Sequence, residues 1–421
     1  MVTTRATETG ELARGELAAA LAEGFAGDTL AGKRALVIIP DGTRTAPIAL
    51  LFALLGETLG QRAAQLDYLI ALGTHQPMSD EAIAALVGMA ADERAARYPR
   101  TRIFNHQWDD PAALATIGVI SRAEAARLTG GLLTEEVPVT LNRLLLDYDH
   151  IIICGPVFPH EVAGFSGGAK YLFPGIAGSD IINFTHWLGA LCTSMATIGT
   201  PDTPVRRVIH RAAAFVPRPI TCVALVIGDA QLRGVYIGDY IEAFAAAASH
   251  SARLNIIYKP HPFRSVLSEP ASHYDDLWTA AKAMYKTEPV IADGGEVIIY
   301  APHITEVSYT HGALIDAVGY HVRDYFLGQW PRFSTVPGMI LAHSTHVRGA
   351  GTYDAATGVE SPRIAVTLAT GIPRERCERI NLGYRNYREI DPRAWADRED
   401  EGLLRVEHAG ELLYRLGEPT R

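Results

Sequence analysis

Between residues 34 and 90 the chain switches repeatedly between two periodicities. "RALVII" is a β-branched run stopped by Pro40, and "IALLFALLGETLGQRAA" carries its apolar residues at helical spacing. "LDYLIALGTH" returns to a strand-length apolar run, and "SDEAIAALVGM" to a helix opened by Ser79 with acids in its first turn. Further on, "DHIIICGPV" and "GSDIINFTHWLGAL" repeat the alternation. Strands alternating with helices predict an α/β sheet, and polar groups following the carboxyl ends of its strands then line a ligand crevice. Asp41 to Arg44, Thr74 with His75, and His160 fall at such ends.

A chain of 421 residues exceeds the usual size of one hydrophobic core, so two α/β domains are expected. "IIYKPHPFRSVLSEPAS", residues 256 to 272, is rich in Pro and Ser and reads as a hinge. A second α/β pattern follows, with a helix from Tyr274 to Tyr285 and strands in "GEVIIYAP" and "RIAVTLAT". The domains are therefore placed at 1–262 and 263–402, with 403–421 ("LLRVEHAGELLYRL" and the end of the chain) rejoining the first. The run "WADREDEG", 395 to 402, reads as a solvated surface.

The apolar content of 48% suits a packed globular protein, and the net charge of -9 argues against affinity for nucleic acid or anionic lipid. Small solutes remain as ligands. No apolar run approaches the ~20 residues that span a bilayer. Arg5, Glu8, Glu11, Arg14, Glu16 and Glu23 break any signal-peptide core, so a cytoplasmic location is expected. Cys154, Cys192, Cys222 and Cys377 form no C-x-x-C pair and read as reduced, mostly buried thiols.

Lys170 is one of five lysines and follows a glycine pair in "GFSGGAKYLFPG". Glycines allow positive φ and close backbone approach, so the loop resembles one that hugs a phosphate, although the P-loop spacing is absent. A solvated loop lysine and an amine bonded covalently to a substrate or cofactor are the two readings. His75, His106, His160 and His186 each lie beside a strand end or on the helix after this loop. Singly, each fits a structural histidine; together they suit a metal held by imidazole or an acid/base pair. In "PDGTR", Asp41 and Gly42 shape a turn, while Arg44 either covers the next helix or supplies a fork for a carboxylate or phosphate.

Taken together, "DGTR", "ALGTHQPM", "FNH" and "HEVAGFSGGAKYLFPGIAG" with "FTHW" resemble, in order and spacing, the nickel-pincer lactate racemase family. The resemblance covers most of the first 190 residues and continues more weakly into "LWTAAKA". It implies two α/β domains, an N-terminal cofactor-binding and catalytic domain and a C-terminal substrate-closing domain, with a cofactor and substrate cleft between them. It also implies a nickel-pincer nucleotide, a pyridinium-3,5-bisthiocarboxylate mononucleotide, bound covalently to Lys170, with His186 as a nickel ligand. Asp41, Gly42, Thr43, Arg44, Gly167 and Gly168 would be the cofactor loops, and His75 and His160 the catalytic acid/base pair. Arg44, Lys282, Trp278 and Thr279 would meet the substrate.

The activity so implied is that of an isomerase, a racemase or epimerase of a 2-hydroxy acid. C2 is inverted by reversible hydride transfer through a planar 2-oxo acid, one histidine taking the hydroxyl proton and the other returning one. Cofactor-synthesis enzymes are the implied partners. Trp278 and Thr279 stand where lactate-specific members would carry tyrosine and glutamine, a departure that leaves the substrate open between lactate, another short-chain acid and a polyhydroxylated acid. "APHITEVSYTHG" and "LAHSTHVRGAG" hold His303, Thr305, Glu306, His311, His343, His346 and Arg348, either facing such a substrate or forming polar surface. Two other classes stay open: a histidine-cluster metal hydrolase, and a non-enzymatic two-domain nucleotide or solute binder.

Overall fold

The computed structural model describes residues 1–27 and 29–418, which fall into two compact α/β units. The first comprises Met1–Phe158, Phe165–Thr185 and Arg206–Leu254. Its sheet has seven strands: β1 (Thr3–Ala6), β2 (Arg34–Ile39), β3 (Gln65–Ile70), β4 (Ile103–Asn105), β5 (His150–Pro156), β6 (Ile220–Gly228) and β7 (Gln231–Gly238), in the order β1-β7-β6-β5-β2-β3-β4. From β4 across to β6 every pairing is parallel, and β7 and β1 add antiparallel at one edge. All of β5 is buried, and all of β2 except Arg34. Central parallel strands are covered on both faces, which is why both read as unbroken apolar runs.

Helix α1 (Ile48–Leu59) buries Leu51, Phe52 and Leu55 in the same cluster as Val37, Ile39 and Tyr68. The expected cap of α2 (Asp80–Val87) is present, since Ser79 Oγ accepts from the Ala82 N–H at 3.2 Å. Chain order matters for the site. β2, β3 and β4 step outward on one side, whereas β5 lies on the other flank of β2. The winding thus reverses between β2 and β5, and loops leaving the carboxyl ends of strands at such a reversal form the binding crevice of an open α/β sheet.

The second unit comprises Pro159–Gly164, His186–Val205 and the chain from Asn255. The supposed hinge at 256–272 is instead two strands, β8 (Ile256–Lys259) and β9 (Phe263–Pro270). Phe263, Val266 and Leu267 of β9 are fully buried, and Ser268 Oγ donates to the Ala283 carbonyl at 2.8 Å. The Pro and Ser content masked a core strand whose buried Ser268 is internally bonded. With β10 (Ile291–Ala301), β11 (Ala365–Thr370), β12 (Gly383–Tyr384) and β13 (Leu403–Ala409) it forms an all-parallel sheet, ordered β12-β11-β10-β9-β13.

Residues 403–418 therefore do not rejoin the first unit. β13 pairs with β9, burying Leu403, Leu404 and Val406, and β14 (Leu413–Leu416) pairs with β8. Residues 419–421 of that expected segment lie outside the described residues. The boundary expected at 262 also differs, because 159–164 and 186–205 cluster with the second unit. Among the described residues no helix is long and apolar enough to cross a membrane.

Candidate active site

In the first unit the loop after β2 and the loop after β3 meet. Asp41 is 6% exposed. Its Oδ1 accepts from the Thr43 hydroxyl at 2.6 Å and the Thr43 N–H at 3.2 Å, closing a tight Asx turn. Its Oδ2 lies 2.6 Å from Nδ1 of His75. Burial alone would raise the Asp41 carboxyl, but His75, the Thr43 hydroxyl and the Arg44 charge outweigh it and hold the group well below the usual carboxylate range. An ionised carboxylate only accepts, so Nδ1 of His75 carries a proton and Nε2 is left as the basic nitrogen. His75 itself is half-exposed.

The glycine loop returns to the end of β5. Gly167 and Gly168 have φ of 82° and 58°. A Cβ on Gly167 would stand 2.6 Å from Val157 and 3.0 Å from the Pro156 carbonyl oxygen, so the loop backbone lies directly against the chain leaving β5. Gly168–Tyr171 is a turn of 3₁₀ helix in which Gly168, Ala169 and Tyr171 are buried and Lys170 is half-buried. The Arg44 charge acts on both Asp41 and Tyr171, so the "DGTR" loop and the residue next to Lys170 share one electrostatic environment.

Arg206 holds this loop from behind, and sequence reasoning passed over it. It is 2% exposed, donates to the Gly167 carbonyl at 3.2 Å and to the Phe165 carbonyl, and lies 4.0 Å over the Phe244 ring. Burial lowers its guanidinium to about 9, the nearby Cys222 opposing slightly. The only hint in "PDTPVRRVIHRAA" is strong amphipathicity, which would ordinarily put an arginine on the solvent face.

His106 is 1% exposed, with Nε2 3.0 Å from the Ala177 carbonyl and Nδ1 3.1 Å from the Asn142 amide. Burial lowers its pKa to about 4, against the raising effect of the Ala177 carbonyl. Both nitrogens are engaged, Nε2 tying the β4 end to the segment before α3 (Ser179–Cys192) and Nδ1 tying it to Asn142, the role of a structural histidine.

The remaining expected residues belong to the second unit. His160 is 7% exposed, and its Nδ1 accepts from the Val162 N–H at 3.1 Å, with a Glu161 carboxylate oxygen 3.4 Å away. An Nδ1 that accepts from the backbone carries no proton, which leaves the proton of the neutral ring on Nε2. His186 lies half-buried on α3, next to Trp187, whose ring stacks on Trp330 at 5.7 Å. After α4 (Ser194–Thr197), α5 (Pro204–Ala213) and α6 (Tyr240–Asn255), which carry Arg206 and Phe244, come the short helices α7 (Leu277–Ala280) and α8 (Lys282–Tyr285).

Lys282 is 9% exposed, its Nζ 3.1 Å from the Thr279 carbonyl and 4.6 Å from the Tyr274 ring centroid. Trp278 is half-buried between His343, stacked at 4.0 Å, and His311 at 4.6 Å. The Thr279 hydroxyl donates to Asp276 at 2.9 Å, which leaves its lone pairs for a ligand. The polar loops divide in two. Glu306 pairs with Arg376 at 2.6 Å and His303 bonds the Tyr274 carbonyl at 3.0 Å, whereas His311, His343 and His346 are buried.

Among the described residues no three His, Cys, Asp or Glu side chains form a metal-binding group. Lys170 on the glycine turn and His186 on α3 are both half-buried, so neither side chain is shut off from a ligand.

Residues 18–199 match the family described as the lactate racemase N-terminal domain. The chain is 24% identical over 280 residues to the lactate racemase of Thermoanaerobacterium thermosaccharolyticum, and 24% over 279 residues to that of Lactiplantibacillus plantarum. These matches cover 65% and 64% of the chain but only 61% and 60% of the two enzymes. A crystal structure of a Thermotoga maritima protein superposes with a TM-score of 0.89 at 32% identity, covering 98% of this chain and 100% of the other. The lactate racemase apoprotein of T. thermosaccharolyticum superposes with a TM-score of 0.73 at 18% identity over 96% and 93%, a likeness of fold. Residues 18–199 thus form a lactate racemase N-terminal domain, in a chain whose fold is that of the lactate racemase apoprotein.

Proposed function

We propose that the protein is a racemase or epimerase that inverts C2 of a 2-hydroxy acid, whether lactate, another short-chain acid or a polyhydroxylated one, using a nickel-pincer nucleotide attached to Lys170, with His186 on the nickel. The observation that carries this reading is the Asp41–His75 contact of 2.6 Å at the carboxyl end of the sheet, where the Lys170 turn also lies. When bound, the nucleotide supplies a reversible hydride acceptor for C2. The protein's own groups handle protons and position. His75 Nε2 takes the substrate hydroxyl proton, and Asp41 holds the ring and stabilises the imidazolium that results. His160, with its proton on Nε2, serves the opposite face as the acid, and the roles exchange for the other enantiomer. Arg44 grips the substrate carboxylate as a planar fork, and Lys282 as a point charge held off bulk water by Tyr274. Gly42, Thr43, Gly167 and Gly168 shape the cofactor loops.

A histidine-cluster hydrolase has less support, because the histidines it needs are separated in role. His106 is bonded at both nitrogens, and His75 is bonded to Asp41. The test is the intact mass and nickel content of the full chain after coexpression with cofactor-synthesis enzymes. One adduct located on Lys170 and absent from Lys170→Ala is expected, with nickel reduced in His186→Ala. An unmodified chain, or equal nickel in the His186 variant, would contradict the assignment.

A further inference from the structure

The second unit holds a cavity of about 240 Å³ beside α4 and the C-terminal end of α9 (Gly338–Arg348). Ser194, Thr345 and His346 line it, and Ser194 Oγ, Thr345 Oγ1 and both ring nitrogens of His346 are buried without a hydrogen-bond partner in the protein. The three residues are 5%, 5% and 3% exposed. An unpaired buried polar group costs about 1–3 kcal/mol, and such groups are few in native proteins. Three around one cavity, large beside the ~30 Å³ that a water occupies in the liquid, mark a place where a bound molecule completes the bonding.

The wall also indicates the chemistry of that molecule. Its charged side chains are already engaged. Arg323 donates to the Leu191 carbonyl at 3.0 Å and pairs with Asp324 at 2.9 Å, and Glu288 accepts from the Ala350 N–H at 2.7 Å. Burial keeps His346 neutral near pH 7, its pKa lowered to about 4 with Glu161 opposing. What is left is two hydroxyls and one neutral imidazole, each set able both to donate and to accept. Alcohol hydroxyls match that pattern, whereas carboxylates and phosphates require donors only.

The cavity adjoins the residues expected at the substrate. His346 lies three residues along α9 from His343, which stacks on Trp278, and its ring is 6.3 Å from Tyr285 of α8. A Cβ on Gly349 at the wall would stand 2.6 Å from both Met284 of α8 and Glu288, so the backbone runs hard against the helix of Lys282. We propose that this cavity is the subsite for the hydroxylated chain of the substrate beyond C2, with Ser194, Thr345 and His346 bonding its hydroxyls. The substrate class is then a polyhydroxy acid of the aldonic type. This rests on the racemase reading and deepens it.

Calorimetric titration of the full chain with lactate, glycerate, erythronate and arabinonate tests it without turnover. Affinity should rise along the series, arabinonate binding about tenfold tighter than lactate, as one or two new hydrogen bonds allow. Ser194→Ala and Thr345→Val should each reduce that preference roughly threefold to tenfold while leaving lactate binding unchanged. Because its hydroxyl has no partner in the protein, Thr345→Val should not lower the urea midpoint. Equal affinity along the series, no binding of the longer acids, or a preference surviving the double variant would each overturn the subsite. Should a variant fail to fold, the series on the unaltered chain still decides. If the longer acids bind as expected but none is inverted by the cofactor-loaded protein, the subsite stands and the racemase reading falls. If lactate is inverted and no preference exists, the reverse holds.

Discussion

Asp41 and His75, thirty-four residues apart, are joined by a 2.6 Å contact that fixes which imidazole nitrogen is basic. Asp41→Asn should leave the fold intact but present an amide donor to Nδ1, favouring the wrong tautomer. Racemisation should fall roughly 10²- to 10⁴-fold in kcat with little change in KM, by analogy with a serine-protease triad. The same carboxylate bears on stability. Its folded pKa is depressed, so its contribution is fully present above the ordinary carboxylate value of ~3.9 and declines as pH falls below it. Urea unfolding of parent and variant should therefore differ most near neutrality and converge at acid pH.

Arg206→Met should strip the Phe165 and Gly167 carbonyls of their charged donor. The expected loss is about 2–4 kcal/mol of unfolding free energy. Arg206→Lys should recover part of it, because an ammonium cannot reproduce the planar two-carbonyl reach. A readout specific to loop positioning is the fraction of Lys170 modified, by intact mass. It should fall in the Met variant under conditions where circular dichroism shows the fold retained.

His106 carries a stability signature of its own. Its folded pKa of about 4 lies below the ordinary ~6.5, so the unfolded chain binds the proton more readily between those values. Stability is complete above pH ~6.5 and is lost as pH falls toward 4, by on the order of 3 kcal/mol from this group. His106→Gln should flatten that slope relative to the parent in urea unfolding at stepped pH. If folded, it should keep racemisation within several-fold, since the residue is placed in packing rather than chemistry.

Replacing either histidine of the proposed acid/base pair should abolish full racemisation but spare opposite half-reactions. His160→Ala should still convert one enantiomer to a stoichiometric 2-oxo acid through His75, and His75→Ala only the other enantiomer. Rapid-quench assay of 2-oxo acid from each pure enantiomer measures this. Identical yields from both enantiomers in both variants would show that the bases are misassigned.

The first unit was the more legible in sequence because its central strands are buried on both faces and its loops fall at strand ends. "RALVII", "LDYLI" and "DHIIICGP" are strands as read, and Asp41, His75 and the Lys170 turn follow from their ends. The second unit hid its order. β9 sits in a Pro- and Ser-rich stretch, and β13 and β14 return from the end of the chain to complete sheets that no local pattern announces. Arg206 was invisible for a related reason. What distinguishes a buried arginine from a surface one is the pair of carbonyls it meets, about forty residues away in sequence. The polar loops around 303 and 343 could not be divided by spacing, since only tertiary contact separates the Glu306–Arg376 surface pair from the buried His343–Trp278 stack.

The most direct test of the central claim is to give the cofactor-loaded protein one pure enantiomer of a C2-deuterated 2-hydroxy acid in ordinary water. Chiral separation with mass detection then follows both configuration and label. Hydride transfer at a site served by His75 and His160 predicts that the opposite C2 configuration accumulates toward equilibrium with its deuterium retained, and that the Lys170→Ala protein produces none. No inversion with any acid of the series, or inversion with the label lost to solvent, would contradict the account.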